Sequence, residues 1–263
     1  MTDTADVSPG TWFVENDELF VSSDGWLRFP RPRPEAEARL ICFPPAGAEA
    51  FMYDRWVNFL PESLELCAVQ LPEGEEYNDV QQVIATLSES IVEQSRAGQK
   101  LIFCGICLGA LWAYESARYL RATHNVEIAH LIVVTYPAPD QQAPTIAFMR
   151  TSNFINIMTS YFPAESPEHQ YVLSRLPSMM YAADLAEQNL PPFDRPLDCP
   201  ITAFASIHDQ VIDPQVLSTW KPYTTGSFHV HMCDGDHFYG DHHMEEFLQA
   251  LVGYLEASGL QKV

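Results

Sequence analysis

The chain is poor in basic residues. Its 263 positions hold 14 Lys and Arg against 35 Asp and Glu, a formal net charge of −21, and this argues against nucleic acid and anionic membrane as partners, because both need clustered cations. It has no apolar run near the ~18 residues that cross a bilayer, and the polar, acidic stretch Met1 to Gly10 has no basic segment leading into an apolar core. A cytoplasmic protein is expected. Cysteines 42, 67, 104, 107, 199 and 233 lack the paired spacing of a zinc site, and four of them lie in apolar runs, which reads as reduced core thiols with Cys107 as the exception. His229 and His231 share one face of a strand near Asp234, Asp236 and His237, but that spacing matches no common ligand signature, so no metal is expected. Internal repeats and low-complexity tracts are also missing, and the length suits one large domain over residues 1–263.

What is present is an alternation of strand-like and helix-like segments. After about 35 residues of short apolar pieces and turn formers (Trp12-Phe13-Val14, Trp26 to Phe29, then Pro30-Arg31-Pro32-Arg33-Pro34), an extension with an outer strand or two, Arg39 to Phe43 reads as a buried strand. A helix-like run from Ala50 to Leu60 follows, then a strand at Leu64 to Leu71, a helix at Asn78 to Gln94, a strand at Lys100 to Cys104, a helix at Leu108 to Arg121 and a strand at Ala129 to Thr135. Such alternation predicts a mostly parallel sheet with helices on both faces. From about 138 to 196 the pattern gives way to helical segments (Thr145 to Ser160, Pro167 to Leu176, Ser178 to Asn189) before strands at Ile201 to Ala205 and Phe228 to Met232 and a helix at Met244 to Ala257. An excursion at that place reads as a helical lid. Its residues Phe148, Phe154, Met158, Tyr161, Phe162, Met179, Met180 and Tyr181 read first as helix packing rather than as a substrate wall.

Within this frame the stretch Leu101 to Ala110 carries the chemistry. An apolar strand runs into Gly105-Ile-Cys107-Leu-Gly109, the nucleophile elbow of an α/β-hydrolase with a thiol in place of the hydroxyl. That fold orders its triad as nucleophile, acid, histidine, each in a loop at the carboxyl end of a strand. Asp209 follows the strand Ile201 to Ala205, and Gly235-Asp236-His237-Phe238 follows Phe228 to Met232, so Cys107, Asp209 and His237 satisfy order and location together. Asp213 and, further off, Asp140 compete for the acid, and His242 and His243 read as solvated helix-start residues. The oxyanion hole would use the amide of Leu108, after the nucleophile, and that of Ala46 or Gly47 in the loop Phe43-Pro44-Pro45-Ala46-Gly47-Ala48.

Taken in order, Phe43-Pro-x-Ala-Gly, Trp56, Leu60-Pro61, Val69-Gln70-Leu71-Pro72, Gly105-x-Cys107-x-Gly109-Ala110, Pro196-Leu-Asp-Cys-Pro200-Ile201 and Gly235-x-His237-Phe238 resemble the type II thioesterase family over residues 36 to 257. The resemblance implies an α/β-hydrolase with a lid, acting in trans on acyl groups held as thioesters on the phosphopantetheine arm of acyl or peptidyl carrier proteins in polyketide and nonribosomal peptide assembly, with no cofactor of its own. It places the triad on Cys107, Asp209 and His237 and the oxyanion hole on Ala46 and Leu108. Three departures stand out: Cys107 where the family has Ser, Pro45 where His is common, and Pro72-Glu73-Gly74-Glu75-Glu76 where a basic Pro-Gly-Arg is usual. Cys-elbow relatives that the chain also resembles shuttle aminoacyl groups between carriers. A cysteine hydrolase of the dienelactone type and a non-catalytic carrier-binding scaffold are the other readings.

Overall fold

A computed structural model describes residues 19–71, 77, 79–188 and 194–260. Trp12-Phe13-Val14, residues 72–76, Asn78 and Asn189 lie outside the described residues. The strands are β1 (Phe20–Val21), β2 (Leu27–Phe29), β3 (Ala38–Phe43), β4 (Leu64–Val69), β5 (Lys100–Ile106), β6 (His130–Val134), β7 (Ile201–Ser206) and β8 (Phe228–Cys233). They form one eight-stranded sheet in the order β1-β2-β4-β3-β5-β6-β7-β8. From β4 to β8 all pairings are parallel, while β1 and β2 are added antiparallel at one edge. The outer strands expected near the start of the chain are this pair.

Each central strand is buried on both faces, so each reads as a continuous apolar run, and the period of two divides its side chains between two cores. Ile41 and Phe43 of β3, Leu101 and Phe103 of β5, and Leu131 and Val133 of β6 join one core with α1 (Val80–Gln94) and α2 (Gly109–Tyr119). Leu40, Cys42, Ile102, Cys104, Ile132 and Val134 join the other, against Trp56 and the helix at the carboxyl end of the chain.

Two segments depart from the sequence expectation in the same way. Ala50–Asn58, expected as an ordinary helix, is a 3-10 helix, and the unforeseen Pro214–Tyr223 is another. In a 3-10 helix residues three apart eclipse one another. Ala50, Tyr53 and Trp56 are buried on one such line, and Leu217, Trp220 and Tyr223 on the other, so the apolar spacing of three selects the tighter winding in both.

Between β6 and β7 lie α3 (Ala143–Met149), α4 (Ser152–Ser160), α5 (Pro167–Ser174) and α6 (Leu176–Ala186). The single helix expected over Thr145 to Ser160 is interrupted because Thr151 turns extended and caps α4, its side chain accepting from the Phe154 amide at 3.2 Å. After β8 come α7 (Tyr239–His242) and α8 (Met244–Ala257). No helix among the described residues is long and apolar enough to cross a membrane.

Candidate active site

The turn from β5 into α2 is built by its glycines. A Cβ on Gly105 would lie 2.4 Å from the Ala110 backbone, and one on Gly109 would lie 2.2 Å from the Phe43 carbonyl oxygen. Both positions admit hydrogen alone. Between them Cys107 adopts φ +50°, a left-handed conformation that costs an L-residue about 1–3 kcal/mol and persists only where the surroundings hold it. Here the Cys107 amide donates to the Val134 carbonyl of β6 at 2.8 Å, and the Ala110 amide donates to the Cys107 carbonyl at 2.9 Å. The elbow leaves Cys107 8% exposed, at the wall of a cavity.

Loops after β7 and β8 bring the remaining two residues to it. The His237 Nδ1–H donates to Asp209 Oδ2 at 2.8 Å, with side chains only 6% and 1% exposed. The other Asp209 oxygen accepts from the amides of Val211 at 2.7 Å and Ile212 at 2.9 Å, which fixes the carboxylate from behind. Cys107 and His237 line the same cavity, and the thiol is near enough to the ring to favour its charged form. Burial disfavours the charged imidazole, but the Asp209 charge and hydrogen bond, with Cys107 added, outweigh it and raise His237 to about 10. The two competing acids are occupied elsewhere: Asp213 caps the 3-10 helix after β7, accepting from the Gln215 amide at 3.0 Å, and Asp140 lies in the 3-10 turn Pro139–Gln141 by Tyr223.

Among the described residues, the amides of Ala46 and Leu108 donate to no protein acceptor. Leu108 stands at the N-terminal end of α2, where the helix dipole favours negative charge. Gly47, at φ +75°, packs so closely under α6 that a Cβ would come 2.6 Å from the Met179 side chain. Arg175 fastens that contact: its Nε donates to the Gly47 carbonyl at 2.5 Å and its Nη1 to Glu49 at 3.2 Å.

The cavity above Cys107 measures about 580 Å³ and is walled largely by apolar side chains of α3 to α6 and of the 3-10 helix Ala50–Asn58. Phe154, Met158, Tyr161, Phe162 and Met179 line it, so these five face the site where packing alone was expected, whereas Phe148, Met180 and Tyr181 lie outside its wall. Asp241, Arg55 and Glu168 also line it. The sequence carried no signal for them, since their approach is set by how the helices pack. His242 is exposed, as expected, and lies at the cavity rim, where its Nδ1 is 3.1 Å from Asp236. His231 packs against α8, its Nδ1 3.3 Å from the Tyr254 hydroxyl, and no group of three or more candidate metal ligands occurs among the described residues. All six cysteines are buried and free.

A mostly parallel sheet with a strained strand-to-helix elbow, and an aspartate and a histidine arriving after later strands, defines an α/β-hydrolase. Comparison with known proteins narrows the class. The thioesterase domain family matches residues 38–254, and the chain belongs to it. It is 29% identical over 252 residues to linear gramicidin dehydrogenase LgrE of Brevibacillus parabrevis, covering 90% of this chain and 95% of that protein. It is 30% identical over 228 residues to the gramicidin S biosynthesis protein GrsT of Aneurinibacillus migulanus, covering 81% and 87%. Among solved structures, the RedJ thioesterase of the prodiginine pathway of Streptomyces coelicolor superposes with a TM-score of 0.71 at 27% identity, over 84% of this chain and 91% of that one.

Proposed function

We propose that this protein is a type II thioesterase-like enzyme of polyketide or nonribosomal peptide biosynthesis that takes an acyl group from the phosphopantetheine thioester of an acyl or peptidyl carrier protein onto Cys107. The observation that carries this reading is Cys107 and an Asp209-bonded His237 brought together at the wall of a large apolar cavity. Membership of the thioesterase family and the biosynthetic names of GrsT and RedJ support it. The redox name of LgrE is said of that protein and is not carried over, because this chain has no Gly-x-Gly with which a dinucleotide fingerprint opens.

In this mechanism Cys107 gives its proton to His237, whose charge Asp209 balances, and the thiolate attacks the thioester carbonyl. The amides of Ala46 and Leu108 hold the oxyanion. As the C–S bond to pantetheine breaks, His237 returns its proton to the departing thiolate, leaving acyl-Cys107. An acceptor then loses its proton to His237 and attacks in turn, and water as acceptor gives the free acid. The helices α3 to α6 act as the lid over this chemistry, in one domain with the sheet. The enzyme needs no cofactor of its own, the pantetheine arm arriving with the carrier.

The thiol bears on the acceptor. Exchange of one thioester for another is nearly balanced in free energy, whereas a serine ester would lie lower, so acyl-Cys107 can be handed on to a second thiol as well as to water. Cys107→Ser tests which outcome the site serves. With an acyl-loaded carrier and an empty one present together, a transferase loses carrier-to-carrier transfer by at least about tenfold more than it loses acid release, while equal losses assign the enzyme to hydrolysis. The Arg175 tie offers a separate test, since it holds the loop bearing Ala46. Arg175→Ala is expected to lower kcat by about tenfold with little change in KM, and an unchanged kcat in steady-state kinetics would contradict a positioning role.

A further inference from the structure

Two carboxylates, Asp241 and Glu168, line the cavity, as do the guanidinium groups of Arg55 and Arg175. Asp241 and Glu168 accept no hydrogen bond and enter no ion pair among the described residues. Asp241 lies in α7, just beyond His237, and five charged or titratable groups face it: His242, Arg55 and His237, which favour its ionised form, Asp236, which opposes it, and the buried Tyr53 phenol, which the Asp241 charge helps to keep neutral. None of the first three neutralises it through an ion pair. His242 is paired with Asp236 at 3.1 Å, and His237 with Asp209 at 2.8 Å. Arg55 is exposed and forms no ion pair with Asp241. Burial therefore prevails over these neighbours and pushes Asp241 up to about 6. At neutral pH the group is still ionised, and a half-buried carboxylate beside apolar walls carries a desolvation cost that a cation on the ligand would relieve.

We propose that Asp241 is a specificity-determining residue that anchors a protonated amine on the acyl group delivered to Cys107, which makes amine-bearing acyl thioesters, aminoacyl groups among them, the preferred substrates. This deepens the thioester reading above and rests on it. Cys107, His237 and Asp241 all line the cavity, and Asp241 is near enough to His237 for their charges to interact, so an acyl group on the thiol shares its space with the carboxylate and with the apolar Met149, Phe154 and Met158. A neutral hydroxyl can donate a hydrogen bond to Asp241 but leaves its charge unbalanced.

Isosteric pairs of pantetheine thioesters test the proposal: alanyl against isobutyryl and β-alanyl against butanoyl, with an ammonium replacing a methyl group in each, and lactoyl as the neutral donor. Loading of Cys107 is read as intact mass in a quenched time course. At pH 7.5 the full chain is expected to load at least one amine-bearing group about tenfold faster than its isostere, and the ratio is expected to fall toward one by pH 5 as Asp241 takes up a proton. Asp241→Asn should remove the preference, and Asp241→Glu should restore part of it. Equal loading within both pairs, or lactoyl matching alanyl, overturns the proposal and leaves the thioester reading standing. Failure of every thioester to load overturns that reading instead. Should Asp241→Asn not fold, the wild-type pH series decides, and a ratio unchanged from pH 7.5 to 5 overturns the proposal.

Discussion

Cys107→Ala is expected to lower kcat/KM for a carrier-bound thioester by about 10⁴. The proposed route has a single covalent intermediate, and the alanine cannot form it. What survives is catalysis by binding and by the Ala46 and Leu108 amides alone, which in triad enzymes still exceeds the rate in water by a large factor. His237 remains beside Asp209 in the variant, since their 2.8 Å hydrogen bond does not pass through the thiol. The fold should therefore persist, and the loss should appear in kcat. Steady-state hydrolysis and transfer assays with one loaded carrier check this, and a loss below tenfold would remove Cys107 from the mechanism.

Gly109→Ala is expected to damage the molecule itself. Its Cβ would meet the Phe43 carbonyl oxygen at 2.2 Å and that of Pro44 at 2.6 Å, both backbone atoms that no side-chain rotation can clear. Either α2 retreats from β3 or the strand end moves, and the strand end leads into the Ala46 loop. A cost of about 3 kcal/mol and a fall in kcat beyond what the lost stability explains should follow together. Gly253→Ala is the control, because its Cβ finds no neighbour within 4 Å on the exposed side of α8, where alanine is the better helix former by about 1 kcal/mol. Thermal unfolding of the two variants should move in opposite directions, and a Gly109→Ala midpoint equal to wild type would contradict the packing account of the elbow.

The elbow was legible because its requirements are local. The turn admits no side chain at residues 105 and 109, so the glycines mark it wherever an apolar strand precedes them. The order of Asp209 and His237 after β7 and β8 was legible for a similar reason, since loops at the carboxyl ends of neighbouring parallel strands must converge. The choice between Asp209 and Asp213 was not. Both follow β7 in one loop, and only the turn that directs Asp209 to His237 and Asp213 to the Gln215 amide separates them. The lid was readable as helical, yet which of its apolar residues face the cavity depends on how α3 to α6 pack on the Gly47 loop, a tertiary matter that amphipathic spacing does not encode. Asp241 belongs to the same category. The two 3-10 helices show the opposite case: the spacing of three in Ala50, Tyr53, Trp56 and in Leu217, Trp220, Tyr223 was present throughout, and a reading tuned to the 3.6-residue period passes over it.

The chemistry at Cys107 is central to this account, and intact mass measures it directly. Wild-type enzyme, an acyl-loaded carrier and an empty carrier are mixed and quenched over time, and the masses of all three proteins are read together. The account predicts an enzyme heavier by the acyl group at early times, lost as free acid or a loaded second carrier appears, and absent throughout in Cys107→Ala. Turnover of the loaded carrier with no acyl mass on the wild-type enzyme, or an acyl mass that persists on Cys107→Ala, would contradict it.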